Sequence, residues 1–266
     1  MPEGPEVKIV TNWLSEYCTG KLVVDCCPEY KCKSGYDTVK DSIIEKVTCK
    51  GKQIFFHFSI KGNGKVDIIY NNRLALFGRW SDIKPENHLR FWFKLSGDKY
   101  LYFSDTTNFG GLDILSPLAY EMKLKEIGPD LLSEEVSFDL YMKKIRSSRI
   151  KNQYICKFLT EQKYFSGIGN YLKSEILYFS KIAPHRTLQT LTDAEIFELY
   201  TKSIEIIKLS YSYGGLTIET FWSPDGKRGL YPKVVYDSDK DPSGNPIISS
   251  SEYDGKSTYW VPALQK

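Results

Sequence analysis

The strongest constraint on what this chain can fold into is a change in the period of its apolar residues partway along it. From about residue 21 to 115 the sequence runs in short β-branched and aromatic stretches: Lys52 to Ile60, Val66 to Tyr70, Leu89 to Leu95 and Tyr100 to Ser104. Gly-Asn-Gly (62–64) and Ser-Gly-Asp (96–98) turns separate them, the marks of antiparallel strands. From Phe138 the spacing becomes helical through Ile207, broken at 165–170 and at Pro184. A β-rich half ahead of a helical one predicts an α+β fold. A short helix precedes both: Pro5 suits its first turn, Glu6 its dipole, and Val7, Val10, Leu14 and Tyr17 share a face before Gly20 stops it. Gly128-Pro129-Asp130 ends the strands, and after Gly214-Gly215 the chain returns to turns and strands around 231–237 and 257–261. Three segments are expected: 1–128, 129–213 and 214–266.

With 266 residues, the chain has material for one or two buried cores, and no apolar run approaches the roughly 18 residues of a membrane span. The opening Met1-Pro2-Glu3-Gly4-Pro5-Glu6 carries acids where a secretory signal would carry positive charge, which predicts an intracellular, reducing compartment, nuclear or cytoplasmic, and no export. The six cysteines, at 18, 26, 27, 32, 49 and 156, do not form a disulfide framework; Cys26, Cys27 and Cys32 lack the second pair that a metal site needs.

Charge is unevenly spread. Between Lys143 and Arg186 ten Lys and Arg face only Glu161 and Glu175, a net of +8 in 44 residues. Such a run is either a solvated helix surface or a patch for a phosphate backbone. Within it, Ser166-Gly167-Ile168-Gly169-Asn170-Tyr171 joins two helical stretches, and its glycines let backbone N–H groups approach a phosphate at the next helix start. The terminus is the other chemical feature. Loss of Met1 exposes Pro2, whose secondary amine can attack a carbonyl-like carbon and give an iminium, with Glu3 beside it to move protons.

These residues form an ordered set. Met1-Pro2-Glu3-Gly4-Pro5-Glu6-Val7, Lys50-Gly51-Lys52, Ser104-Asp105 through Phe109-Gly110, Gly128-Pro129-Asp130-Leu131, Gly167-Ile168-Gly169-Asn170-Tyr171 and the ending 257–265 together resemble the Fpg/Nei DNA glycosylases over nearly the whole chain. The resemblance implies an N-terminal β-sandwich with flanking helices (1–128), a helical domain with a helix-two-turns-helix (129–213), and a loop followed by a finger hairpin (214–266). It implies a bifunctional DNA glycosylase and abasic-site lyase of base-excision repair. Damaged DNA, duplex and single-stranded, is the expected partner of a monomer that has no membrane association and needs no cofactor.

Carried over residue by residue, the resemblance makes Pro2 the nucleophile at the sugar C1′ and Glu3 the acid/base for ring opening and β,δ-elimination. Lys52 matches a phosphate-binding lysine beside the lesion, and Asn170, with Gly169 before it, the helix-two-turns-helix phosphate site. Glu6 shares the N-terminal motif, although a first-turn carboxylate needs no catalytic reason. Lys256 stands where relatives place a clamping arginine, keeping the charge but not the fork. Arg73 falls at a phosphate-binding position, and Tyr236 is either a phosphate contact or a core tyrosine. Leu76 and Phe109 match the residues that fill the void of an extruded base, while Thr107 replaces the arginine that reads the orphaned partner.

Where zinc-containing relatives have two Cys pairs, this chain has Ile247, Ser250, Val261 and Leu264. Burial of Ile247, Val261 and Leu264 is expected to hold the hairpin, similar to the zincless finger of some eukaryotic, giant-virus and plant members. Gly4 resembles the Nei branch, which implies oxidised pyrimidines and hydantoins as substrates. The stretch from Gly214 through Phe221 to Gly229 resembles instead the Fpg loop over 8-oxoguanine, and a non-catalytic damaged-DNA binding module is the remaining alternative.

Overall fold

Helix α1 (Gly4–Cys18) opens the chain and is followed by strands β1 (Val23–Pro28), β2 (Ser42–Lys50), β3 (Gln53–Ile60), β4 (Ile68–Arg73), β5 (Arg79–Ser81), β6 (Leu89–Leu95), β7 (Lys99–Ser104) and β8 (Gly111–Leu115). Helices α2 (Pro117–Glu126), α3 (Phe138–Ile145), α4 (Ile155–Thr160), α5 (Asn170–Phe179) and α6 (Asp193–Ser212) come next, and the short pair β9 (Ile248–Ser250) and β10 (Thr258–Trp260) ends the order. This computed structural model describes residues 1–28, 36–60, 64–216 and 223–266. Cys32, the first two residues of the Gly-Asn-Gly turn, and Thr217 to Phe221 of the loop resemblance lie outside the described residues.

The strands form two antiparallel sheets, ordered β1-β6-β7-β5 and β2-β3-β4-β8. Period-two alternation decides what faces what. In β3, Ile54, Phe56 and Phe58 enter the core between the sheets, where Phe56 and Phe58 lie 6.0 and 5.8 Å from Phe93 of β6. The intervening Phe55 and His57 turn to the other face and meet Tyr120 of α2 at 5.1 and 5.0 Å. Helix α1 adds Val7, Val10, Leu14 and Cys18 to the same core. Tyr17 is only half-buried, with its hydroxyl donating to the Tyr100 carbonyl at 2.9 Å. Gly20, at φ +77°, ends the helix as expected.

Contacts divide the chain into two compact units, Met1–Pro2 with Glu6–Glu126 and Gly214–Leu230, and Glu3–Pro5 with Ile127–Tyr213 and Tyr231–Lys266. The third segment drawn from the sequence is thus shared between them. In the second unit, Ser137 caps α3 and a Thr192–Glu195 capping box opens α6. Tyr141 stacks on Phe165 at 4.6 Å, and α5 is buried from Tyr171 through Leu177.

Two expectations are corrected here. Part of the basic run is neutralised: Arg146 pairs with Asp193, Arg186 with Glu195 and Lys173 with Asp254, while Lys157 and Lys163 share Glu161, an acid already counted in the run. Three of those acids lie outside the run, so a sequence count could not see them. In the finger, Val261 is fully buried and Ile247 half-buried, but Leu264 stays 39% exposed. Gln265 holds the hairpin end instead, its Oε1 accepting the Val261 N–H at 2.7 Å and its Nε2 donating to the Ile182 carbonyl at 2.9 Å.

Candidate active site

Pro2 and Glu3 are both buried at the head of α1. The Glu3 carboxylate accepts the N–H groups of Gly169 at 2.5 Å, Tyr171 at 3.0 Å and Leu172 at 3.4 Å. It therefore sits on the N-terminus of α5, where unpaired amides and the helix dipole favour an anion. The glycine-rich turn was expected to leave those amides open to a phosphate. They are taken by Glu3, so Gly169 acts on the carboxylate through its N–H. Gly4 lies close under this seat: its N–H donates to the Gly167 carbonyl at 2.8 Å, and a Cβ at position 4 would come 3.0 Å from Gly167 Cα, a tight contact.

Asn170 is half-buried as the first residue of α5, and Tyr236 packs between Tyr171 and Tyr259, with ring centroids 6.1 and 5.2 Å away. Burial, reinforced by the charge of Glu3, pushes the Tyr236 phenol up to about 12, so it is a hydrogen-bond donor at neutral pH. A residue that sequence reasoning missed sets this tyrosine. Buried Glu175 accepts the N–H groups of Val234, Val235 and Tyr236 at 2.9 to 3.1 Å, and burial pushes its carboxyl up from the usual range. Lys256 is exposed, on a turn whose N–H at 256 donates to Asp254 at 3.0 Å.

The first unit carries the remaining candidates. Lys52 follows Gly51, at φ +56°, in the tight turn joining β2 to β3, one residue before the strand the sequence assigned to it. Glu6 is buried, and its Oε1 accepts the Leu216 N–H at 2.7 Å; a Cβ on Gly215, at φ +81°, would fall 2.4 Å from that oxygen. Glu6 thereby anchors the start of the 214–230 segment. Arg73 pairs with Asp113 at 3.1 Å.

Leu76 and Phe109 are 39% and 80% exposed, on neighbouring turns rather than in the core. Asp105, another residue missed, is buried and shapes the second turn: Oδ1 accepts the Thr107 N–H and hydroxyl at 3.0 Å, and Oδ2 the Gly110 N–H at 2.6 Å. Asn72 ties the two turns at their base, accepting from the Trp80 indole at 2.9 Å and donating to the Gly111 carbonyl at 3.0 Å. An aspartate followed at short range by Thr and Gly is the one sequence signal of this arrangement.

Profiles of the formamidopyrimidine-DNA glycosylase N-terminal, H2TH and C-terminal domains match residues 1–112, 127–222 and 231–266. The formamidopyrimidine-DNA glycosylase of Pediococcus pentosaceus is 28% identical over 89% of this chain and 87% of its own length. Endonuclease 8 of Salmonella arizonae is 25% identical over the full length of both. The Lactococcus lactis Fpg, solved in complex with abasic-site DNA, superposes with a TM-score of 0.85 at 25% identity, covering 99% of each chain.

Proposed function

Because the chain belongs to the Fpg/Nei family, DNA glycosylases of base-excision repair with abasic-site lyase activity, we propose that it excises oxidised pyrimidines and hydantoins from damaged DNA through its N-terminal proline. With Met1 removed, the Pro2 nitrogen attacks C1′ of the damaged nucleotide. The C1′–N glycosidic bond breaks, its electron pair leaves with the base, and the base takes up a proton while the proline nitrogen loses its own, which leaves a tertiary amine with a lone pair for the next step. Cleavage of C1′–O4′ then gives an iminium on the proline nitrogen while O4′ receives a proton relayed by Glu3. The iminium acidifies C2′–H, so loss of that proton expels the 3′ phosphate; a second elimination expels the 5′ phosphate, and water releases the sugar fragment. Asn170, Lys52, Lys256, Arg73 and Tyr236 bind the phosphates around the lesion, and Leu76 and Phe109 occupy the space left by the base.

The observation that carries this reading is the grip on Glu3. Three backbone donors fix a buried carboxylate one residue from the proposed nucleophile; the same contact caps α5, so it supports the chemistry by placement and the trapping experiment decides it. Borohydride added during reaction on an abasic or lesion oligonucleotide should trap a covalent complex, since an iminium is reducible, and Pro2→Gly should lose most of it. A variant that traps and cleaves like wild type would show that the nucleophile lies elsewhere. Excision of 8-oxoguanine and formamidopyrimidine is the second reading, favoured by the Glu6 anchor on the 214–230 segment and by the Fpg relatives; a panel of lesion oligonucleotides separates the two.

A further inference from the structure

Lys173 was counted in the sequence within the basic run, where either reading puts its ammonium at the surface, yet its side chain is fully buried. Its ammonium donates to Asp254 Oδ2 at 2.8 Å, and the Asp254 side chain is itself only 2% exposed. Such a pair is a weak source of stability, because removing two ions from water costs about as much as their attraction returns. What an ion pair adds over an apolar pair is a fixed register. The second oxygen, Asp254 Oδ1, accepts the Lys256 N–H at 3.0 Å. On the far side of that residue, Ser174 Oγ accepts the Tyr259 N–H at 3.1 Å, so consecutive residues of α5 hold the hairpin before and after Lys256. Asn170 lies one helical turn before Lys173 on the same face of α5. At the four positions where zinc-bearing relatives use cysteines, this chain offers no ligand set, so the register must come from another contact.

We infer that Lys173 and Asp254 are positioning residues for DNA binding: their buried ion pair seats the 254–258 turn on α5 so that the Lys256 backbone is held beside the first turn of the helix, which begins with Asn170. The inference rests on the reading of Lys256 as a phosphate-binding residue. It explains why a cation in the middle of a basic run is withdrawn from solvent, and why its acid partner lies two residues before the exposed lysine.

Dissociation constants for a duplex with an uncleavable tetrahydrofuran abasic analogue, measured across a salt series, test it. Lys256→Ala should weaken binding about tenfold and lower the slope of log Kd against log salt by about 0.9, the share of one phosphate contact. Lys173→Met with Asp254→Leu, which fills the site with apolar groups, should give the same loss and the same change of slope. Adding Lys256→Ala to that pair should change nothing further. Where the Met/Leu variant lacks a wild-type-like thermal transition, Lys173→Met with Asp254→Asn, closer in shape, carries the same comparison. Wild-type binding by the paired variant, or losses that multiply in the triple variant, would overturn the inference while leaving Lys256 in its role. An unaltered Lys256→Ala would instead remove that role and the inference with it.

Discussion

Thr107 spends its polar groups on Asp105, with both its N–H and its hydroxyl on one carboxylate oxygen. It has no reach left for a base across a gap. Flipping a nucleotide costs a few kcal/mol of stacking, and in the role proposed for them the exposed Leu76 and Phe109 would offset part of it by contact without reading identity. Little discrimination among A, C, G and T opposite a lesion is therefore expected, together with good cleavage of single strands, which have no partner to lose. Thr107→Arg should raise activity on duplex relative to single-stranded DNA and introduce an opposite-base preference. Rates on four duplexes and one single strand, for both proteins, check this; strong selectivity in the wild type would mean that another side chain reads the partner. At this scale the sequence brought Pro2 and Glu3 forward as chain neighbours, but not the seat of Glu3 on α5, whose donors lie 166 to 169 residues away. Asp254 and Glu175 gave no signal, because what they hold lies about 60 to 80 residues away.

The finger is held by side chains at its end and by the helix beneath it. Gln265 closes β10 onto the carbonyl of Ile182, and the Tyr259 N–H rests on Ser174. Purified protein should accordingly contain no stoichiometric zinc and keep its activity in a chelator, since Ile247, Ser250, Val261 and Leu264 supply at best one poor ligand. One equivalent of zinc by elemental analysis would contradict this. Strands and helices were recognisable from periodicity, but β3 starts a residue late, β4 runs from 68 to 73 against the expected 66–70, and 231–237, expected as a strand, is turn and irregular backbone whose N–H groups at 234–236 go to Glu175 instead of a ladder. The packing of the segment after β10 was not legible, because the few apolar residues of a turn have no period to say that Leu264 faces water while Val261 faces the core.

At the scale of the molecule, burial and charge pairing set the response to pH and to DNA. His57, between β3 and α2, is pushed down to about 4 by burial and by the nearby Lys46 charge. Its charged form is disfavoured in the folded state, so the stability it contributes is present above about pH 6.5 and is lost as pH falls toward 4. After allowance for solvent screening the loss is on the order of 2 kcal/mol. Urea unfolding should show a fall of that size between pH 7 and 4 in wild type relative to His57→Gln, and parallel curves for the two would mean that the imidazole is not protonated only on unfolding. The internal pairing of Arg146, Lys157, Lys163, Lys173 and Arg186 has its own outcome for how the enzyme finds work. Drawing three outside acids onto the run lowers its net charge from +8 to +5, which is expected to weaken its long-range pull on intact duplex. Residence on DNA is then expected to depend more on the few groups that meet a distorted site than on the charge of the run.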